Sequence, residues 1–88
     1  MTEIATQASA RQTTSRRRID KLGQLEIDEA NAVPCVVRNI SEAGAMVMVR
    51  HSGDIPDRVV LSIPDEEFRR AAKVKWRRAR SIGVMFPR

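Results

Sequence analysis

Apolar residues in this chain fall into short runs of alternating period, each closed by turn formers, and that pattern constrains it to β-structure. At 24–28, Gln24-Leu25-Glu26-Ile27-Asp28 alternates polar and apolar side chains, the period of a strand with one buried face. At 34–40, Pro34-Cys35-Val36-Val37-Arg38-Asn39-Ile40 is short and β-branched, with proline at its start where a missing N–H is tolerated. Ala45-Met46-Val47-Met48-Val49 is apolar on both faces until Arg50, which predicts a strand covered on both sides. Arg58-Val59-Val60-Leu61-Ser62-Ile63 is a fourth run, closed by Pro64-Asp65. Ala72-Lys73-Val74-Lys75-Trp76-Arg77 predicts Ala72, Val74 and Trp76 inward, in the core, with the cations outward. Ile82-Gly83-Val84-Met85-Phe86 is the sixth, with Ile82, Val84 and Phe86 facing one way, and Pro87 ends it.

The separators are consistent with this reading. Residues 29–32 and 41–44 break the pattern, 78–81 suits a hairpin turn, and 51–57 is the longest loop. Residues 65–70 fit one helical turn or the start of the fifth strand, and the strand is preferred. No segment has the length and period of an amphipathic helix. Six short strands predict an all-β barrel or sandwich. Residues 1–15 are polar and without apolar period, which predicts a flexible N-terminal tail before a domain at 16–88.

At 88 residues the chain makes one domain with a modest core. The single Cys35 excludes an internal disulfide and suits a reducing compartment. The first ten residues lack a secretory signal and no run approaches membrane-spanning length, so a cytoplasmic protein without membrane insertion is expected. A monomer is favoured, because neither a coiled-coil heptad nor a large apolar patch is evident. The net charge of +5 is unevenly spread: residues 11–21 carry +4, 22–67 carry −6 and 68–80 carry +7. Two basic segments flanking an acidic middle suggest an anion site if they meet in space.

Two constellations could build that site. Arg16-Arg17-Arg18, followed by Lys21, stands where the tail is expected to meet the first strand. Arginine offers planar bidentate donors to phosphate and guanine edges and stacks on rings, although most charge runs are only solvated surface. Asn39-Ile40-Ser41-Glu42-Ala43-Gly44 lies between two strands. Asn39 and Ser41 could read a base edge and Gly44 permits close backbone approach, while the plainer reading is an ordinary turn.

Together the two segments resemble the PilZ family of bacterial receptors for the second messenger cyclic di-GMP. That family pairs an RxxxR segment before the first strand with a (D/N)xSxxG segment between the second and third. Asn39, Ser41 and Gly44 match the second motif in full. The resemblance runs from residue 16 to 86, through the Ile55-Pro56-Asp57 loop, the Val74-Lys75-Trp76-Arg77 strand and the closing run. It implies a six-stranded antiparallel β-barrel. The first motif departs from the pattern: Arg16 is followed four residues later by Asp20, Arg17 by Lys21 and Arg18 by Leu22. The nearest match puts Lys21 in the second arginine's place, keeping charge but losing the fork and the flat stacking face.

The resemblance implies that Arg17 and Lys21, assisted by Arg16 or Arg18, hold the phosphates and one guanine of cyclic di-GMP. Asn39 and Ser41 would contact a guanine edge, and Gly44 would admit the backbone. The tail would order around the ligand, changing the surface offered to an unidentified protein partner. Lys75 and Arg77, in the cation row of the fifth run, either complete the site as a basic wall or form a solvated strand face. Met46, Met48 and Met85 read as packing filler rather than a partner patch.

No nucleophile, base and pocket are grouped as catalysis requires, so the chain reads as not an enzyme. Cys35 has no companion ligand, His51 is the sole histidine, and no metal site or cofactor is arguable. Two alternatives stay open. One is a PilZ-like interaction module without the ligand. The other is a basic barrel binding nucleic acid loosely through phosphates, since Phe68, Trp76 and Phe86 are the only aromatics and specific recognition needs a stacking platform.

Overall fold

The computed structural model describes residues 17–87. The expected tail at 1–15, and Arg16 of the arginine cluster, lie outside the described residues. Six strands form one closed antiparallel barrel: β1 (Arg17–Glu26), β2 (Ala32–Ile40), β3 (Gly44–Met48), β4 (Arg58–Ile63), β5 (Phe68–Arg78) and β6 (Ser81–Met85). Neighbours run β1-β2-β3-β6-β5-β4, and β4 closes on β1 through Gln24↔Ser62 to Glu26↔Val60. Closure gives every strand a neighbour on both sides, although β4 meets β1 only over Gln24–Glu26, and leaves no whole strand as a sheet edge.

The core is the inward set of the alternation. Leu25, Val37, Val47, Leu61, Ile63 and Ile82 are fully buried, with Cys35, Val59, Ala72, Val84 and Phe86 beside them. Each large aliphatic side chain there contributes about 1.5–3 kcal/mol by leaving water. Surface ion pairs contribute about 0–1 kcal/mol each, so the aliphatic core outweighs them. Pro34 sits opposite Gln24 on β1, and β2 meets β3 only from Val36 onward, so its missing N–H lies where one flank is unpaired.

The strand boundaries differ from the sequence pattern at both ends of β1. Regular pairing begins at Arg17, so Arg17, Arg18 and Lys21 are strand residues rather than a hinge before the strand. The alternation was illegible there because Ile19 and Asp20 together oppose one residue of β2, with Asp20 at φ 48°. At the other end, Ile27 and Asp28 turn away: the N–H of Ile27 donates to the Asn31 carbonyl (2.8 Å), and Asp28 accepts from the N–H groups of Ala30 and Asn31. Between β4 and β5, Pro64–Glu66 makes a single 3-10 turn and Glu67 takes a left-handed conformation. The fifth strand therefore starts at Phe68.

Trp76 is also a correction. It is 37% exposed and lies outside the core. The register of β5 against β6 shifts between Val74↔Val84 and Trp76↔Gly83, leaving Lys75 as an extra residue. One inserted residue exchanges the faces of everything after it. Trp76 thereby turns outward, and Arg77 comes opposite the buried Ile82. Met46 and Met48 are half-buried, while Met85 is exposed.

Candidate functional site

The antiparallel pairing of β1 with β2 brings the start of the arginine segment to the end of the Asn39–Gly44 segment. Arg17 stands opposite Ile40 and Arg18 opposite Asn39. A groove of about 440 Å³ opens at this end of the barrel, with Ile19, Ile40, Ile63 and Phe68 as its apolar lining and Arg17, Ser41, Glu42, Glu66 and Arg70 as its polar one. Arg17 and Ser41 thus share one cavity. Phe68 packs against Phe86 with centroids 5.5 Å apart, and the Arg70 guanidinium lies 4.8 Å from the Phe86 centroid.

A second relationship runs across the strands. Arg18, Asn39, Met46, Gly83 and Trp76 are successive cross-strand neighbours over β1, β2, β3, β6 and β5. Gly83 is required by this row, because a Cβ there would collide with the Trp76 indole. The Arg78 guanidinium lies 5.5 Å from the Trp76 ring centroid. Trp76 is the site feature that the alternating pattern concealed. The signal that could have found it is a glycine inside a strand, which marks close approach.

Arg18, Lys21 and Arg38, three of the cations near the site, already have counter-ions. Asp20 lies 2.9 Å from the Arg18 Nε and 2.8 Å from the Arg38 Nε. The Arg18 hydrogen bond, with help from Arg38, holds the Asp20 carboxyl below its ordinary value. The Lys21 Nζ lies 3.6 Å from Glu66. An anion that engages Arg18 or Lys21 displaces or shares these contacts, and each is exposed enough for that to cost little.

Ser41 and Gly44 shape the turn between β2 and β3. The Ser41 Oγ accepts from the N–H groups of Ala43 (3.2 Å) and Gly44 (3.3 Å), and the Ser41 N–H donates to the Gly44 carbonyl (2.8 Å). A Cβ at Gly44 would collide with the Val84 carbonyl of β6. The close approach that demands glycine is therefore one between strands, and no described glycine has positive φ.

Lys75 and Arg77 part company. Lys75 lines a smaller groove with Glu42, Gly44 and Phe86, beside the Ser41 turn. Arg77 donates to the carbonyls of Ser52 (2.6 Å) and Ile55 (2.6 Å) and to the Asp57 carboxylate (2.8 Å), clamping the loop at 51–57. Cys35 is buried and its thiol is pushed up to about 12 by desolvation. Among the described residues no group of histidine, cysteine and carboxylates could hold a metal ion. No described helix is long and apolar enough to cross a membrane.

The family model of the PilZ domain matches residues 11–88, most of the chain. The chain belongs to the PilZ family. No curated protein sequence matches it. PilZ domains are receptor domains for cyclic di-GMP and act as ligand-binding adaptors rather than catalysts. The match begins ahead of the Arg16 boundary expected from the motifs, and the closed six-stranded antiparallel barrel is the architecture that the resemblance implied.

Proposed function

We propose that this PilZ domain binds cyclic di-GMP at the end of the barrel where β1 meets the β2–β3 turn, and that binding alters the surface it offers to a protein partner. The observation that carries this reading is the pairing of Arg17 with Ile40 and Arg18 with Asn39, which brings two arginine positions beside the NxSxxG segment. Arg17 and Arg18, with Arg16 ahead of them, take the phosphates and a guanine; Asn39 and Ser41 take a guanine edge. Trp76, exposed in the same cross-strand row, supplies a stacking face, and Lys75 adds charge beside the turn. Occupancy of this site is what changes the surface offered to the partner.

The second reading is a PilZ module that works through protein contacts without the ligand. It is favoured by Lys21, which lacks arginine's fork and contacts Glu66, and by the Asp20 carboxylate shared between Arg18 and Arg38. Calorimetric titration with cyclic di-GMP separates them. Saturable binding by the wild type that is lost in Arg17→Ala and weakened in Ser41→Ala supports the receptor. Absence of heat with folded wild-type protein overturns it, and binding that survives both substitutions overturns the residue assignment.

A further inference from the structure

A second groove, of about 600 Å³, shares no lining residue with the one at Arg17 and Ser41. Its centre is a cross-strand row, Leu22 on β1 opposite Val36 on β2, and Val36 opposite Met48 on β3. Leu22 is 76% exposed, the most exposed of the large apolar side chains described. Arg50 and Arg80 border the row, and no carboxylate lines the groove. These two arginines differ from the ion-paired cations of the barrel. Arg18, Arg38, Arg69 and Arg77 each have a carboxylate oxygen within 2.9 Å, whereas among the described residues neither Arg50 nor Arg80 has one within 4 Å.

We infer that this groove docks an acidic amphipathic helix of a partner protein. The barrel is closed, with no whole strand left as a sheet edge, so engagement through side chains is favoured over addition of a strand. Adjacent strands lie about 4.8 Å apart, so Leu22, Val36 and Met48 span about 10 Å. A helix rises about 5.4 Å per turn, so apolar residues at i, i+3 or i+4, and i+7 repeat at nearly that spacing. Carboxylates flanking that stripe would meet Arg50 and Arg80, which have no carboxylate in reach among the described residues. A lipid surface fits less well, since the row has no aromatic side chain of the kind that anchors at a membrane interface.

The test is a nitrogen–proton NMR titration of the full chain with a synthetic helical peptide bearing leucines at that spacing and flanking glutamates, beside a counterpart with lysines for the glutamates. The glutamate peptide is expected to shift the amides of Leu22, Val36 and Met48 saturably, and the lysine peptide is not. Leu22→Ser, and separately Arg50→Glu with Arg80→Glu, are expected to weaken binding at least tenfold without moving the unfolding midpoint, since all three side chains are exposed. No saturable shift, or an equal response to both peptides, overturns the inference. So does a dilution-dependent shift of the row without peptide that Leu22→Ser abolishes, which assigns the groove to a second copy. Shifts produced by anionic vesicles instead assign it to a membrane.

Discussion

Arg18 and Asn39 stand directly opposite each other on β1 and β2. The two motif segments, some twenty positions apart along the chain, are therefore adjacent through one antiparallel ladder. Just beyond this pair both strands leave regular register, β1 at Ile19 and Asp20 and β2 at Arg38. The Arg38–Asp20 ion pair, at 2.8 Å, links the two irregularities. Such bulges re-aim side chains beside sites, and here they set Arg18 and Lys21 in different surroundings, one near Asp20 and the other near Glu66.

Gly44→Ala should destabilise the barrel by about 1–3 kcal/mol, because the added methyl meets the Val84 carbonyl, part of a backbone that cannot step aside cheaply. Gly53→Ala is the control, since nothing lies within 4 Å of a Cβ there. Urea denaturation of both variants measures the difference. An unchanged midpoint for Gly44→Ala would remove the strand-contact explanation of that glycine.

Arg77→Ala should loosen the loop at 51–57 while leaving ligand affinity unchanged. The substitution strips donors from the Ser52 and Ile55 carbonyls and from Asp57, a loss of about 1–3 kcal/mol. Hydrogen exchange at the Ile55 amide, which donates to the Ser52 carbonyl at 3.2 Å, should accelerate accordingly. Weakened cyclic di-GMP binding would instead return Arg77 to the site.

Lys21→Arg should tighten cyclic di-GMP binding, by about tenfold if one bidentate contact worth about 1.4 kcal/mol is restored. The present Lys21–Glu66 contact, at 3.6 Å, is a loose point-charge pairing. Calorimetry on the single variant and on Glu66→Gln reads the effect. An unchanged or weaker affinity for Lys21→Arg would show that position 21 does not reach the ligand.

The buried thiol of Cys35 makes alkaline stability directional. Its folded value is raised from 9.0 to about 12, so the folded chain keeps its proton where the unfolded chain loses it. The contribution is complete below pH 9 and declines as pH rises toward about 12. With no tyrosine in the sequence, no phenol titrates in that window to mask it. Unfolding free energy measured from pH 8 upward should fall more steeply for the wild type than for Cys35→Ala. Equal slopes would contradict the burial of the thiol.

The alternation exposed most of this fold because inward residues such as Leu25, Val47, Leu61 and Ile82 obey a local rule, one face in and one out. The rule fails at each bulge. Asp20 hid the first half of β1, and Lys75 turned Trp76 outward and Arg77 toward the loop. A bulge is set by how two strands fit, and no window along one strand contains that information.

The sequence by itself determined six strands, most of the inward set and the residue types of an anion site, since propensity and period act between near neighbours in the chain. Only the tertiary structure decided which cations are free. Arg77 and Lys75 look alike in sequence, yet one is held by three acceptors and the other borders the Ser41 turn. Likewise Arg18 is paired with Asp20 while Arg50 and Arg80 flank an apolar groove among described residues without a carboxylate in reach. Charge is written in the sequence, but its partner is chosen by the distances that barrel closure creates.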